Sequence, residues 1–176
     1  MLIIEPLRNG RSATFKLIAT ALLGLVAALL QSAGGIFPGF GMLISPLSSF
    51  PMIISVMIGP LYGILSYLVA IFLLFLIQPA ELFVFPFTTG LMAIGIGWGF
   101  LLYKRKLSAT FFSSSFLTLG ICFLLYGIEF PVLGPLLLDF QIWNLFYIFC
   151  FSFIYCWAWI EIVIRGVPKL MKSLRG

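Results

Sequence analysis

Side chains able to hold charge or share protons are few in this chain, so each can be weighed singly. Glu129 stands first. It closes an apolar run, with Tyr126 three residues and Cys122 seven residues before it, a spacing that puts all three on one helical face. A carboxylate near a membrane is costly and faces a cavity, a partner or water. The alternative is a solvated residue just above the interface, since the loop FPVLGP begins at once. Across that loop Asp139, Gln141, Trp143, Asn144 and Tyr147 cluster at the start of the last apolar run. Trp143 and Tyr147 are i, i+4 neighbours, and Asn144 shares the Tyr147 side. Aromatic residues at a membrane boundary commonly form an interfacial belt, but an amide just inside the span both donates and accepts. An aromatic wall with one amide suits a flat, polar-edged small molecule. Thr88 and Thr89 add hydroxyls, although hydroxyls in spans commonly bond their own backbone. Glu161, four residues before Arg165, is explained by an i, i+4 ion pair.

The inventory also excludes chemistry. There is no histidine, so histidine-based zinc sites, Ser-His-Asp triads and Cys-His pairs are ruled out. Cys122, Cys150 and Cys156 lie inside apolar runs without CxxC spacing and read as small buried hydrophobes. No GxxxxGK[ST] loop is present, so ATP is not hydrolysed by that route. No acid–base pair or nucleophile dyad can be assembled, and the expectation is a protein that is not an enzyme and needs no metal or cofactor.

The elements that position these residues follow from composition. Of 176 residues, 62% are hydrophobic and 9% charged, and the mean hydropathy is +1.22. No soluble core absorbs that much apolar surface, so an all-α integral membrane protein of one domain is expected. The net charge of +5 then reflects topology and not nucleic-acid binding. Arg8, Arg11 and Lys16 before the first apolar run mimic a signal peptide, but more membrane follows, which favours a retained helix.

Counting spans is ambiguous between Phe37 and Ile77, where Pro38, Pro46, Pro51 and Pro60 break an otherwise apolar stretch. All ten Lys and Arg residues fall before the first run, at Lys104 to Lys106, or from Arg165 onward. Positive loops are cytoplasmic, so an even number of crossings must separate successive clusters. Six spans satisfy this, at approximately 17–35, 40–58, 61–77, 82–103, 108–128 and 142–164, with both termini cytoplasmic. Because a crossing needs roughly 20 residues, the second helix must be short or proline-broken. Interrupted segments of this kind point to transport-type sites, and also occur in structural re-entrant turns. Two stripes of small residues, Thr20, Gly24, Ala28 and Ser32 in the first helix and Gly95 and Gly99 in the fourth, permit close helix approach. They serve packing within the bundle or docking of a separate membrane subunit.

Six short spans, a proline-broken segment running into a short second helix, and the phrases FPGFGMLISPLSSFPMII, IGPLYGIL and FPFTTGLMAIGIG resemble the substrate-binding S components of energy-coupling factor (ECF) vitamin transporters. The resemblance implies capture of a small water-soluble vitamin or precursor at the outer face of a bacterial cell membrane. It also implies partnership with a membrane coupling subunit and two ATPase subunits. It would place Ser45, Ser48 and Ser49 in a lid over the ligand, and Glu129, Trp143, Asn144 and Tyr147 in the pocket wall. Two departures stand out: the AxxxA docking motif is replaced by the Thr20 to Ser32 stripe, and the histidine of metal-binding members is missing. A structural membrane protein similar to the MreD cell-shape family is the competing expectation, and it needs no pocket.

Overall fold

The computed structural model describes residues 12–37, 39–134 and 140–173. Six helices are long and apolar enough to cross a membrane, the mark of a multi-pass membrane protein, and no strand occurs among the described residues. The amino-terminal basic residues Arg8 and Arg11, together with Pro38 and Asp139, lie outside the described residues.

The first crossing is α1 (Ala13–Ile36), capped by the Ser12 hydroxyl, which accepts the Phe15 N–H at 3.2 Å. Its Thr20 and Ser32 hydroxyls donate to Lys16 and Ala28 carbonyls four residues back, both at 2.7 Å. Lipid offers no competing partner, so this back-bonding keeps each hydroxyl satisfied. The second crossing, Phe40–Ile58, is assembled from three pieces: a short helix α2 (Phe40–Ile44), a 3₁₀ turn (Ser45–Ser48) and α3 (Ser49–Ile58). Pro46 sits in the 3₁₀ turn, where its missing N–H costs no ladder bond. Only Phe50 and Ile54 of α3 escape full burial, which makes it the central helix.

A single residue, Gly59, separates α3 from α4 (Pro60–Ile77), and Pro60 at the first helical position supplies the φ the new helix needs. Ser55 Oγ donates to the Tyr62 carbonyl at 3.0 Å across this turn. Gln78 and Pro79 end α4. The fourth crossing then contains α5 (Glu81–Val84), a turn, and α6 (Thr89–Leu102). After Lys104 and Arg105 comes α7 (Lys106–Cys122), which loosens into a π-helical turn over Phe123–Gly127. The sixth crossing belongs to α8 (Ile142–Ser173), which at 1.5 Å per residue is longer than hydrocarbon requires.

Packing runs through neighbours. The first helix lies on α4 and α3, α3 on α6 and α4, α6 on α7, and α7 on α8. The small-residue stripes are consumed here. Thr20, Gly24, Ala28 and Ser32 are buried, and a Cβ on Gly24 would come within 2.8 Å of the Ser66 carbonyl oxygen of α4. Gly95 and Gly99 abut Phe116, Ser113 and Ala109 of α7. Of the two uses expected of these stripes, the chain's own helices take both faces, leaving neither free for a separate subunit. Leu17, Ile18, Leu22, Val26 and Leu29, on the opposite side of α1, remain exposed on the outside of the bundle.

The two ends of the bundle differ in sign. At one end Glu161 is paired with both Lys106 and Arg165, and the Lys106 ammonium also sits 4.8 Å from the Trp157 ring centre. Glu161 thus joins α7 to α8 in addition to its i, i+4 contact. The opposite end carries Glu81 and Glu129.

Candidate functional site

At the Glu81 end, the last turns of α1 meet the 3₁₀ turn, α5 and the first turn of α6, and Gln31 ties them together. Its Nε2 donates to Glu81 Oε2 at 2.7 Å, while its Oε1 accepts from Ser48 Oγ at 2.8 Å and Thr89 Oγ1 at 2.9 Å. Gln31 and Ser48 are buried. The amide is therefore held in one orientation, because the hydroxyls require its oxygen and the carboxylate requires its nitrogen. Beside them Ser49 Oγ donates to the Thr89 carbonyl at 3.3 Å, and Thr88 Oγ1 donates to Val84 at 2.7 Å.

This network borders a cavity of about 520 Å³ lined by Gln31, Ser45, Glu81, Thr88, Thr89 and Tyr155, with Phe130 to Leu133 from the loop after α7 closing another side. The size falls within the range, roughly 300–1,000 Å³, of small-molecule sites. Glu81 lies against Gly34, where a Cβ would stand 2.9 Å from Oε1. No described Lys or Arg pairs with this carboxylate; the described ion pairs are those of Glu161. An aromatic wall comes from α8, where the Phe151 and Tyr155 rings stack 5.7 Å apart.

The residues singled out from sequence divide. Thr88 lines the cavity and Ser49 is buried behind it. Glu129 is elsewhere: it is exposed, adopts a left-handed φ of 58°, and lines a separate space of about 360 Å³ with Leu125, Tyr126 and Phe140. The positive φ is uncommon outside glycine, and the next two residues, Phe130 and Pro131, line the larger cavity. Tyr126 packs edge-on against Phe140 at 5.2 Å, and its buried hydroxyl has no hydrogen-bond partner among the described residues. Trp143 and Tyr147 are 67% and 60% exposed, and neither they nor the half-buried Asn144 line the large cavity.

Aromatic rings and an amide do border the large cavity, but they belong to Phe151, Tyr155 and Gln31 and not to Trp143, Asn144 and Tyr147. Positions 143, 147, 151, 155 and 159 form one i+4 row on α8, and each four-residue step rotates roughly 40° around the helix. Exposure falls along the row, from 67% at Trp143 to 45% at Phe151 and 5% at Trp159. The row winds from lipid toward the interior, and Phe151 and Tyr155 are where it crosses the cavity.

Gln31 and Glu81 were not expected at the site. The available signal was that Gln31 and Asn144 are the two amides inside the apolar runs of the expected spans. Glu81 read as part of a polar break, because nothing local in QPAE says that α1 will pack against it. Comparison of the chain with protein-family models, curated proteins and solved structures finds no match.

Proposed function

We propose that the protein is a solute-binding membrane subunit of an importer of the ECF kind. In this reading it captures a small water-soluble vitamin or precursor from outside a bacterial cell, and partner subunits drive uptake with ATP. The observation that carries it is the cavity at the Glu81 end, with a fixed amide, a carboxylate and hydroxyls on one side and stacked rings on the other. Convergent polar groups in an otherwise apolar concavity are what a membrane protein builds to hold a polar solute. A purely structural bundle has no need to keep there a carboxylate that no described Lys or Arg pairs with. Both termini are then cytoplasmic, since the basic end faces inward, and the cavity opens toward the outside. The chain itself catalyses no reaction in this reading. The coupling subunit docks on a surface other than the two small-residue stripes, which the bundle occupies.

The test is to purify the protein from its native membrane, extract retained small molecules for mass spectrometry, and titrate a panel of water-soluble vitamins. Retention or saturable binding of one panel member, with co-purifying ATPase subunits, is the expected result. No binding and no such partner, with altered cell form on depletion, would transfer the protein to the cell-shape class.

A further inference from the structure

We infer that the ligand held in the Glu81 cavity carries a positive charge on a planar or compact organic group. This rests on the solute-binding reading above and narrows it to a chemical class. Glu81 has two carboxylate oxygens with distinct surroundings. Oε2 is taken by the Gln31 amide, whereas Oε1 accepts no hydrogen bond from the described residues and lies over Gly34 at the cavity edge. The amide cannot turn to offer its oxygen instead, because Ser48 and Thr89 both donate to it. Glu81 thus stands at the wall of a largely apolar space, and among the described residues no Lys or Arg pairs with it. Glu81 is half-buried, and a carboxylate oxygen left open at a cavity wall is suited to a bound species that brings charge and N–H donors.

The remainder of the lining selects the kind of cation. A bare divalent ion takes several oxygen ligands, and no cluster of three or more His, Cys, Asp or Glu side chains able to hold a metal ion occurs among the described residues. The volume of about 520 Å³ is that of an organic molecule. Phe151 and Tyr155 present stacked rings to the same cavity, and ring faces attract organic cations. A charge that satisfies Oε1 while its flat body lies along these rings uses both features.

The experiment compares two probes of nearly equal shape, benzamidinium and neutral benzamide. Each is titrated calorimetrically into the full chain in zwitterionic nanodiscs at low ionic strength, with empty discs subtracted. The expected outcome is at least tenfold tighter binding of benzamidinium, a preference that weakens with added salt. In Glu81→Gln, which keeps an acceptor for Gln31, the preference falls below threefold while thermal melting stays within a few degrees of the unsubstituted chain. Equal binding of the two probes, or tighter binding of benzamide, overturns the cation inference and leaves the solute-binding reading standing. Binding of neither probe overturns the inference as well, and the vitamin panel then decides the broader reading separately. A preference that survives in Glu81→Gln overturns the role of Glu81. Should that variant fail to fold, the two probes on the unsubstituted chain still decide whether charge is selected.

Discussion

At the scale of single residues, Gln31 has the largest consequence. Its amide closes three hydrogen bonds reaching three other segments. Replacement by Leu keeps the bulk but strips an acceptor from two hydroxyls and a donor from Glu81. Gln31→Leu is expected to lose about 1–3 kcal/mol of stability, the cost of leaving buried polar groups unmade, read as a lower melting temperature in detergent. Thr88→Val, which loses only a back-bond to Val84, is the comparison and stays within about 1 kcal/mol. Residue chemistry was partly legible in the chain. Hydroxyls at Thr88 and Thr89 were visible as groups behind Pro86, and they do meet the cavity. Gln31 was not, because its role depends on Glu81 and Thr89, which only tertiary packing brings to it. Glu129 illustrates the converse. Its sequence position is as informative as any, yet it lines the smaller space beside Tyr126 and Phe140 and not the larger cavity.

At the scale of elements, the helices were legible wherever hydrophobic length sets them, and the face each presents was legible only where small residues dominate. The row on α8 from Trp143 to Trp159 shows why. An i+4 series looks like one face, but its slow rotation takes it from lipid to core within five members. Reading only its first two members puts the aromatic wall two helical turns too early. The α1–α4 contact is the opposite case, because glycine in a small stripe leaves little choice of partner distance. Gly24→Leu therefore forces α1 off the Ser66 carbonyl and Val69. We expect a loss of at least about 1–3 kcal/mol from overpacking. Leu22→Ala, on the exposed side of the same helix, is expected to stay within about 0.5 kcal/mol. Unfolding of both variants in mixed micelles, followed by circular dichroism, checks the contrast.

At the scale of the whole molecule, sign segregation gives the orientation test. In a background with Cys122, Cys150 and Cys156 replaced by Ala, Lys104→Cys and Ala80→Cys lie at opposite ends of the bundle. A membrane-impermeant maleimide is expected to label Ala80→Cys in intact cells, and Lys104→Cys only in inverted vesicles. The reverse pattern would put the cavity on the cytoplasmic side and remove the uptake reading. The span count was legible because charge parity is a property of the whole chain. The cavity was not, since its walls are distant in sequence. That distance also bears on how the protein is made. Gln31 precedes Ser48 by 17 residues, Glu81 by 50 and Thr89 by 58. While the chain enters the bilayer from its amino end, α1 therefore carries a bare amide in search of partners. That amide is satisfied only once the fourth crossing has been delivered. The Gln31 network is accordingly the last part of the amino-terminal half to assemble, the cavity beside it still waits for Phe151 and Tyr155 of the sixth crossing, and an insertion halted after three crossings would leave half of the spans and neither feature.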